Sequence, residues 1–246
     1  MPEGSCLAEK AQTMGAMKKI LILHGWAYEA IQWEPLVKRL KESGHDAVIL
    51  KIPGLTEKID RPWNIDDYVS WLHKYVEREK NKVILLGHSN GGRISLAYAV
   101  KHPEHIDALI LVDSAGIYHN EMSIRTKRAV FNALAKMGKK FTKSESLRRI
   151  LYKLTHEQDY VNASVNSRET MKNVITVDLS TQMPSIKIPT LIIWGENDTT
   201  TPISDGTLMH KLIPNAKMVI IKQARHSPQF THVAQVGDAI VTFIQS

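Results

Sequence analysis

Short, wholly apolar runs recur along the chain and are separated by stretches with helical periodicity. Such runs predict strands that are buried on both faces, and helices between them predict a parallel sheet covered on both sides. Six runs predict strands: Ile20–Leu23, Ala47–Leu50, Val83–Leu86, Ala108–Val112, Thr190–Trp194 and Met218–Ile221. Apolar positions spaced three or four residues apart predict core helices over Trp33–Ser43, Ile65–Glu79, Ser204–Leu212 and Val233–Ile244. The pattern is typical of an α/β fold.

The alternation breaks between the fourth and fifth strands, where residues 117–184 contain helical patterns but no comparable strand. Three helices are expected there: over Ile124–Lys140, directly after the capping-box spacing of Thr142–Glu145, and over Ser164–Asp178. We therefore expect a core of residues 18–116 and 185–246 with residues 117–184 inserted as a helical lid. Residues 1–17 have no such periodicity and are expected to be a leader or a disordered tail.

The charge of the chain is concentrated in the expected lid. The net charge is +7, and residues 117–184 hold 12 Lys and Arg against 6 Asp and Glu, which leaves 20 against 19 elsewhere. A nucleic-acid-binding protein usually spreads basic residues as a stripe over its fold, so we expect no nucleic acid partner. A basic lid is instead compatible with a small-molecule substrate that carries a negative charge.

The rest of the composition bears on the compartment. No apolar run approaches the length of a membrane span, so we expect no stable membrane insertion. Cys6 is the single cysteine and has no partner for an intramolecular disulfide, which indicates a reducing compartment. We expect a cytoplasmic protein.

The third predicted strand runs directly into Gly87-His88-Ser89-Asn90-Gly91, and a helical pattern begins at Asn90. A serine at such a strand-to-helix elbow is presented above the sheet, and the flanking glycines allow close backbone approach. The N-terminus of the helix also directs unpaired N–H groups toward the spot where an acyl oxygen would become negative. We interpret Ser89 as a nucleophile; the alternative is a glycine-rich turn whose serine caps the helix.

A nucleophilic serine needs a base, and the base needs a carboxylate to orient it. His226 lies in a loop after the last predicted strand, whereas His232 falls where the final helix should begin. Asp198 lies in a polar loop after the fifth strand, and Asp113 is its competitor at the end of the fourth. The order Ser89, Asp198, His226 places each group at the carboxyl end of a parallel strand, where open α/β sheets carry their sites.

With these motifs the chain resembles the α/β-hydrolase family from about Lys18 to the C-terminus. His24-Gly25-Trp26 resembles the oxyanion loop of the family, which implies backbone N–H donors from Trp26 and Asn90. Asp60–Tyr68 and Asp113–Gly116 also match. The resemblance implies an eight-stranded sheet, but only six strands are visible and little chain precedes the first. We therefore expect a trimmed N-terminal edge.

These residues predict a serine hydrolase that cleaves a small or medium acyl ester through an acyl-enzyme. A carbon–carbon bond hydrolase or a thioesterase with the same triad remains open, as does a receptor that keeps the triad but turns over slowly. His24 and His88 are expected to be structural, with the side chain of His88 diverging from Ser89. No metal-ligand spacing and no phosphate loop after a strand is present, so neither a metal nor a cofactor is expected.

Overall fold

The computed structural model describes residues 17–26, 30–119 and 164–246. The strands are β1 (Lys19–Leu23), β2 (Asp46–Ile49), β3 (Val83–His88), β4 (Ile106–Val112), β5 (Thr190–Gly195) and β6 (Ala216–Ile221). The helices are α1 (Ala30–Glu42), α2 (Ile65–Val76), α3 (Asn90–Lys101), α4 (Val165–Ile175), α5 (Ile203–Leu212), α6 (Pro228–Thr231) and α7 (Val233–Gln245). Short 3₁₀ turns at Pro103–His105 and Met183–Ser185 precede β4 and β5.

All pairings between the six described strands are parallel, and the order across the sheet is β2-β1-β3-β4-β5-β6. The chain runs outward from β1 to β2, returns to β3 on the other side of β1, and then proceeds to β6. The strand order therefore reverses beside β1 and β3. Ligand sites of open parallel sheets lie at such a reversal, beyond the carboxyl ends of the strands.

Two apolar layers cover the sheet because successive residues of a strand point to opposite faces. Leu21 and Leu85 pack with α2, α3 and α5 on one face. Ile20 and Ile84 pack with α1 and α7 on the other. Strands that are apolar on both faces are what this arrangement requires, so the parallel sheet flanked by helices that the sequence predicted is confirmed.

The predicted elements differ from the observed ones mainly at their ends. α1 includes Ala30, three residues before its predicted start at Trp33, and α2 stops at Val76, where Glu77 closes the helix. β2 and β6 begin one and two residues earlier than their apolar runs, because backbone pairing continues into residues whose side chains reach solvent. β4 begins two residues earlier, at the buried Ile106, which the half-buried Asp107 separates from the apolar run. The short helix α6 was not predicted, since four residues are too few to show a period.

The expected lid is described only at its two ends. The helix predicted over Ser164–Asp178 is observed as α4, with Ser164 as its N-cap. The helices predicted over Ile124–Lys140 and after Thr142–Glu145 lie outside the described residues, as does nearly all of the expected leader. The division into core and lid stays a prediction.

Both described ends of this segment are attached to core helices. At the exit, the buried Arg93 of α3 donates from Nη1 to the carbonyl oxygens of Val174 and Val177, at 2.7 and 2.6 Å. These are carbonyls at the C-terminal end of α4, where a cation also meets the negative end of the helix dipole. At the entry, His119 Nε2 lies 2.8 Å from Asp205 Oδ1 of α5.

Candidate active site

Ser89 occupies a strained turn between β3 and α3. Its φ is 53° and its ψ is −119°, a conformation that residues with a Cβ rarely adopt. The turn is closed by its own backbone, since Ser89 O accepts from the N–H groups of Gly92 and Ala115 at 3.0 and 2.9 Å. The Ser89 side chain makes no capping hydrogen bond to α3, so the alternative interpretation as a helix cap is wrong.

The glycines beside Ser89 are required by close backbone contacts. A Cβ on Gly91 would lie 2.0 Å from the carbonyl oxygen of Leu23 at the end of β1, and one on Gly87 would lie 2.5 Å from Gly92 Cα. Neither contact can be relieved by rotating a side chain, because both partners are backbone atoms. The turn can therefore pack this closely against the end of β1 and against α3 only because positions 87 and 91 are glycines.

Gly91→Ala tests this requirement. Replacing glycine by alanine in a helix normally raises the free energy of unfolding by about 1 kcal/mol. Here, however, the added methyl group would clash with the backbone of Leu23. We expect an overpacking cost of about 1–3 kcal/mol and a thermal midpoint lower by about 3–10 °C, measured by calorimetry. A midpoint equal to or above that of wild type would contradict the packing argument.

The structure brings the three residues of the predicted triad into hydrogen-bond contact. His226 Nε2 lies 3.1 Å from Ser89 Oγ, and His226 Nδ1 lies 2.8 Å from Asp198 Oδ2. A carboxylate only accepts, so Nδ1 carries the ring proton and Nε2 presents a lone pair to the serine hydroxyl. This tautomer is the one that a general base facing Ser89 requires.

Asp198 is buried and multiply bonded. Its Oδ1 accepts from the backbone N–H groups of Thr200 and Thr201 at 2.7 and 3.1 Å, and its Oδ2 accepts from Thr201 Oγ1 at 2.7 Å. Burial alone would raise the pKa of Asp198, but the hydrogen bonds from His226, Thr201 and Thr200 outweigh it and hold the pKa below its ordinary value. The carboxylate is therefore ionised at neutral pH.

Asp113 ends β4 close to this network but is bonded differently. Its Oδ1 accepts from the N–H of Gly195 at 2.8 Å, and its φ of 41° is again a left-handed conformation of a non-glycine residue. Burial raises the pKa of Asp113 to about 8, and the nearby charge of Asp198 adds to this effect. Of the two competing carboxyl groups, the structure brings Asp198 to His226 Nδ1 and keeps Asp113 neutral.

The other histidines singled out in the sequence do not take part in the relay, although His88 lies directly beside His226. His88 Nε2 donates to the backbone carbonyl of His226 at 2.8 Å, and Trp33 packs edge-on against its ring. His24 Nδ1 donates to Gly25 O at 2.7 Å. Burial lowers the pKa of His88 to about 3 and that of His24 to about 4, so both rings are neutral. His232 precedes α7 and contacts Thr231.

The loop after β1 lies against the nucleophile. A Cβ on Gly25 would be 3.1 Å from Ser89 Cβ and 3.5 Å from Ser89 Oγ, and Trp26 is the next residue along the chain. Asn90 is the first residue of α3, so its N–H belongs to the unpaired set at the helix start. Both backbone groups predicted as oxyanion donors thus belong to segments that flank Ser89.

One set of potential metal ligands exists among the described residues, and it does not fit a metal. Ligand atoms of His88, Asp113 and His226 lie within 4.8 Å of one another. His88 Nε2 and both nitrogens of His226 are already engaged in hydrogen bonds, so a metal would have to displace the contact with Ser89 or with Asp198. We assign no metal to these residues.

Sequence reasoning did not find Thr201. It is the third of three consecutive threonines after Asp198, and nothing in its type distinguishes it from Thr199 or Thr200. The one signal for it in the sequence is the short spacing between Asp198 and Pro202, which is typical of a tight turn. In such a turn the aspartate side chain accepts hydrogen bonds from the backbone N–H groups two and three residues ahead. Such a turn folds the third residue back onto the carboxylate.

Comparisons with known proteins identify the family of the chain. The sequence model of the family described as serine aminopeptidase, S33, matches residues 15–231. Lipase 1 of Psychrobacter immobilis is 26% identical, with 96% of this chain and 79% of the lipase covered. Pimeloyl-[acyl-carrier protein] methyl ester esterase of Legionella pneumophila is 24% identical, with 87% and 89% covered.

Solved structures extend the similarity to the fold. The crystal structure of bromoperoxidase from Bacillus anthracis superposes with a TM-score of 0.72 at 25% identity, covering 94% of this chain and 93% of that one. Among the described residues, no helix is both long and apolar enough to span a membrane. Since the family model matches most of the sequence and the fold agrees, the chain belongs to the serine aminopeptidase S33 family of α/β hydrolases.

Proposed function

We propose that the protein is a serine hydrolase that cleaves small or medium acyl esters through an acyl-enzyme intermediate. The observation that carries this proposal is the continuous relay from Ser89 Oγ through His226 to Asp198, with distances of 3.1 and 2.8 Å. Two relatives named above, a lipase and a methyl ester esterase, support ester as the bond class.

In the proposed reaction, Ser89 Oγ attacks the ester carbonyl carbon while His226 Nε2 takes the hydroxyl proton. The negative charge on the former carbonyl oxygen is stabilised by the backbone N–H groups of Trp26 and Asn90. Collapse of the intermediate breaks the bond to the alcohol, which leaves with the proton from His226. Water then repeats the sequence on the acyl-enzyme and releases the acid. Asp198 stays ionised throughout and keeps the imidazole in the required tautomer.

The same residues would also serve a thioesterase or a carbon–carbon bond hydrolase, because those reactions pass through the same acyl-serine chemistry. A slow receptor that retains the triad is the alternative from another class. The substrate of the proposed enzyme is a small acyl molecule, and the basic charge of residues 117–184 supports an anionic one. The single cysteine supports a reducing, cytoplasmic location.

Initial rates on p-nitrophenyl esters from acetate to palmitate test the proposal, with Ser89→Ala as the blank. We expect multiple turnovers and a maximum at short or medium acyl length. A matched thioester and a vinylogous diketone, measured in parallel, separate the alternative bond classes. Release of a single equivalent of p-nitrophenol followed by a stall would contradict the enzyme and favour the receptor.

An ester that carries a carboxylate, compared with its neutral isostere, tests the charge of the substrate. We expect kcat/KM to favour the anion a few-fold at low salt. The preference should fade as the Debye length falls from about 30 Å to below about 10 Å. A neutral ester preferred at every ionic strength would remove the anionic substrate from the proposal.

A further inference from the structure

The hydroxyl of Thr201 lies at the centre of the network behind His226. Its Oγ1 is 2.7 Å from Asp198 Oδ2, 3.2 Å from His226 Nδ1 and 3.1 Å from the carbonyl oxygen of Asp113. The backbone at this position is also fixed, because the Thr201 carbonyl accepts from Trp194 Nε1 at 3.0 Å. The hydroxyl is therefore held in place by the main chain and is not a mobile surface group.

The hydroxyl has one proton and two acceptors within reach, Asp198 Oδ2 and the carbonyl of Asp113. Asp198 is both the closer acceptor and the ionised one, and charge-assisted hydrogen bonds are about twice as strong as neutral ones. The proton therefore goes to Asp198, which leaves a lone pair of Oγ1 facing the Nδ1–H of His226. Asp198 Oδ2 then receives two donors from defined directions, His226 and Thr201.

We propose that Thr201 is a positioning residue that keeps Asp198 Oδ2 in line with His226 Nδ1 and limits the basicity of that carboxylate. This inference rests on the proposed function of the triad. With the hydroxyl absent, Oδ2 loses one of its two side-chain donors, so the carboxylate keeps its contact with His226 Nδ1 but in a less fixed orientation. The remaining charge is also less neutralised and attracts a proton on the imidazole more strongly.

Two kinetic consequences follow from these effects. Misalignment lowers kcat, because the base must hold its orientation in the transition state and not only in the bound complex. Stronger stabilisation of the imidazolium keeps the base protonated to a higher pH, so the acid limb of the kcat/KM profile moves upward. KM stays near its wild-type value, since Thr201 lies behind His226 and away from the serine side on which substrate binds.

The experiment compares Thr201→Val with two matched variants. Valine replaces the hydroxyl with a methyl of nearly the same shape, and Thr201→Ser keeps the hydroxyl while removing the methyl. Thr199→Val makes the same change on an exposed residue of the same threonine run. We expect Thr201→Val to lower kcat about tenfold and to raise the acid limb by about 0.5 pH unit. Thr201→Ser and Thr199→Val should retain both wild-type values.

A Thr201→Val enzyme with the wild-type acid limb and kcat would overturn the inference, as would a Thr201→Ser enzyme as impaired as the valine variant. Circular dichroism and the thermal midpoint of each variant separate these results from misfolding. If the wild-type protein turned over none of the substrates in the panel, the proposed function would fail first. An NMR titration of the His226 ring in wild type and Thr201→Val would then decide the inference, since an unchanged titration midpoint contradicts it.

Discussion

Ser89→Ala is expected to reduce ester hydrolysis to background and to abolish labelling by a fluorophosphonate probe, while the protein stays folded. The loss should reach about 10⁵- to 10⁶-fold in kcat, the scale seen when a triad nucleophile is removed. Stability should change little for two reasons. The Ser89 side chain makes no capping bond to α3, and alanine meets the same backbone strain at φ 53° that serine already bears.

Ser95→Ala is the matched control for this variant. Ser95 is a fully buried serine of α3, the helix that follows Ser89, and its hydroxyl donates to Gly91 O at 2.9 Å. Its removal should leave labelling and turnover intact at a modest cost in stability of about 1 kcal/mol. Probe labelling that persisted in Ser89→Ala, or that disappeared in Ser95→Ala, would refute Ser89 as the nucleophile.

Asp198→Asn is expected to lower kcat by about two to four orders of magnitude, whereas Asp113→Asn should have a much smaller effect. An asparagine at position 198 can present an amide N–H to His226 and so favour the wrong ring tautomer. Asp113 makes no hydrogen bond to the ring, and its carboxyl is already neutral at pH 7, which an amide reproduces. An Asp113 variant more damaged in kcat than the Asp198 variant would reverse the assignment.

Asp113→Asn should also differ from wild type in the pH dependence of its stability. Asp113 in the folded state keeps its proton up to a pKa of about 8, while the unfolded chain loses it near 3.8. The folded state thus binds more protons between these values, so this group lowers the free energy of unfolding as pH rises through the window. Urea midpoints from pH 5 to 8 should therefore fall more steeply for wild type than for Asp113→Asn. Parallel curves would contradict the buried neutral carboxyl.

Much of the fold follows from the apolar runs alone. All six predicted strands are observed, because a strand covered on both faces must be apolar throughout and that demand is visible locally, as in Val83–Leu86. The positions of Ser89 and His226 follow for a related reason. Each lies in a loop just beyond the carboxyl end of a strand, and parallel strands bring those ends together.

The parts that escaped prediction depend on side-chain contacts between distant segments. Periodicity cannot show that Arg93 reaches carbonyls more than eighty residues away, or that His88 supports the backbone of His226. The neutral state of Asp113 is of the same kind, since burial is set by the whole fold. Thr201 escaped prediction for another reason. Three threonines follow Asp198, and only the backbone path of the turn determines which of them contacts the carboxylate.

The attachments of Arg93 and His119 bear on how this chain could be re-engineered. His119 meets α5 just before residue 120, and Arg93 holds the end of α4 from inside the core. Both contacts belong to segments outside residues 120–163. That stretch could therefore be exchanged as a cassette for the corresponding segment of another family member, with the junctions kept at 119 and 164. Ser89, Asp198 and His226 would stay on their native scaffold, because all three lie in the described segments on either side of the exchanged stretch.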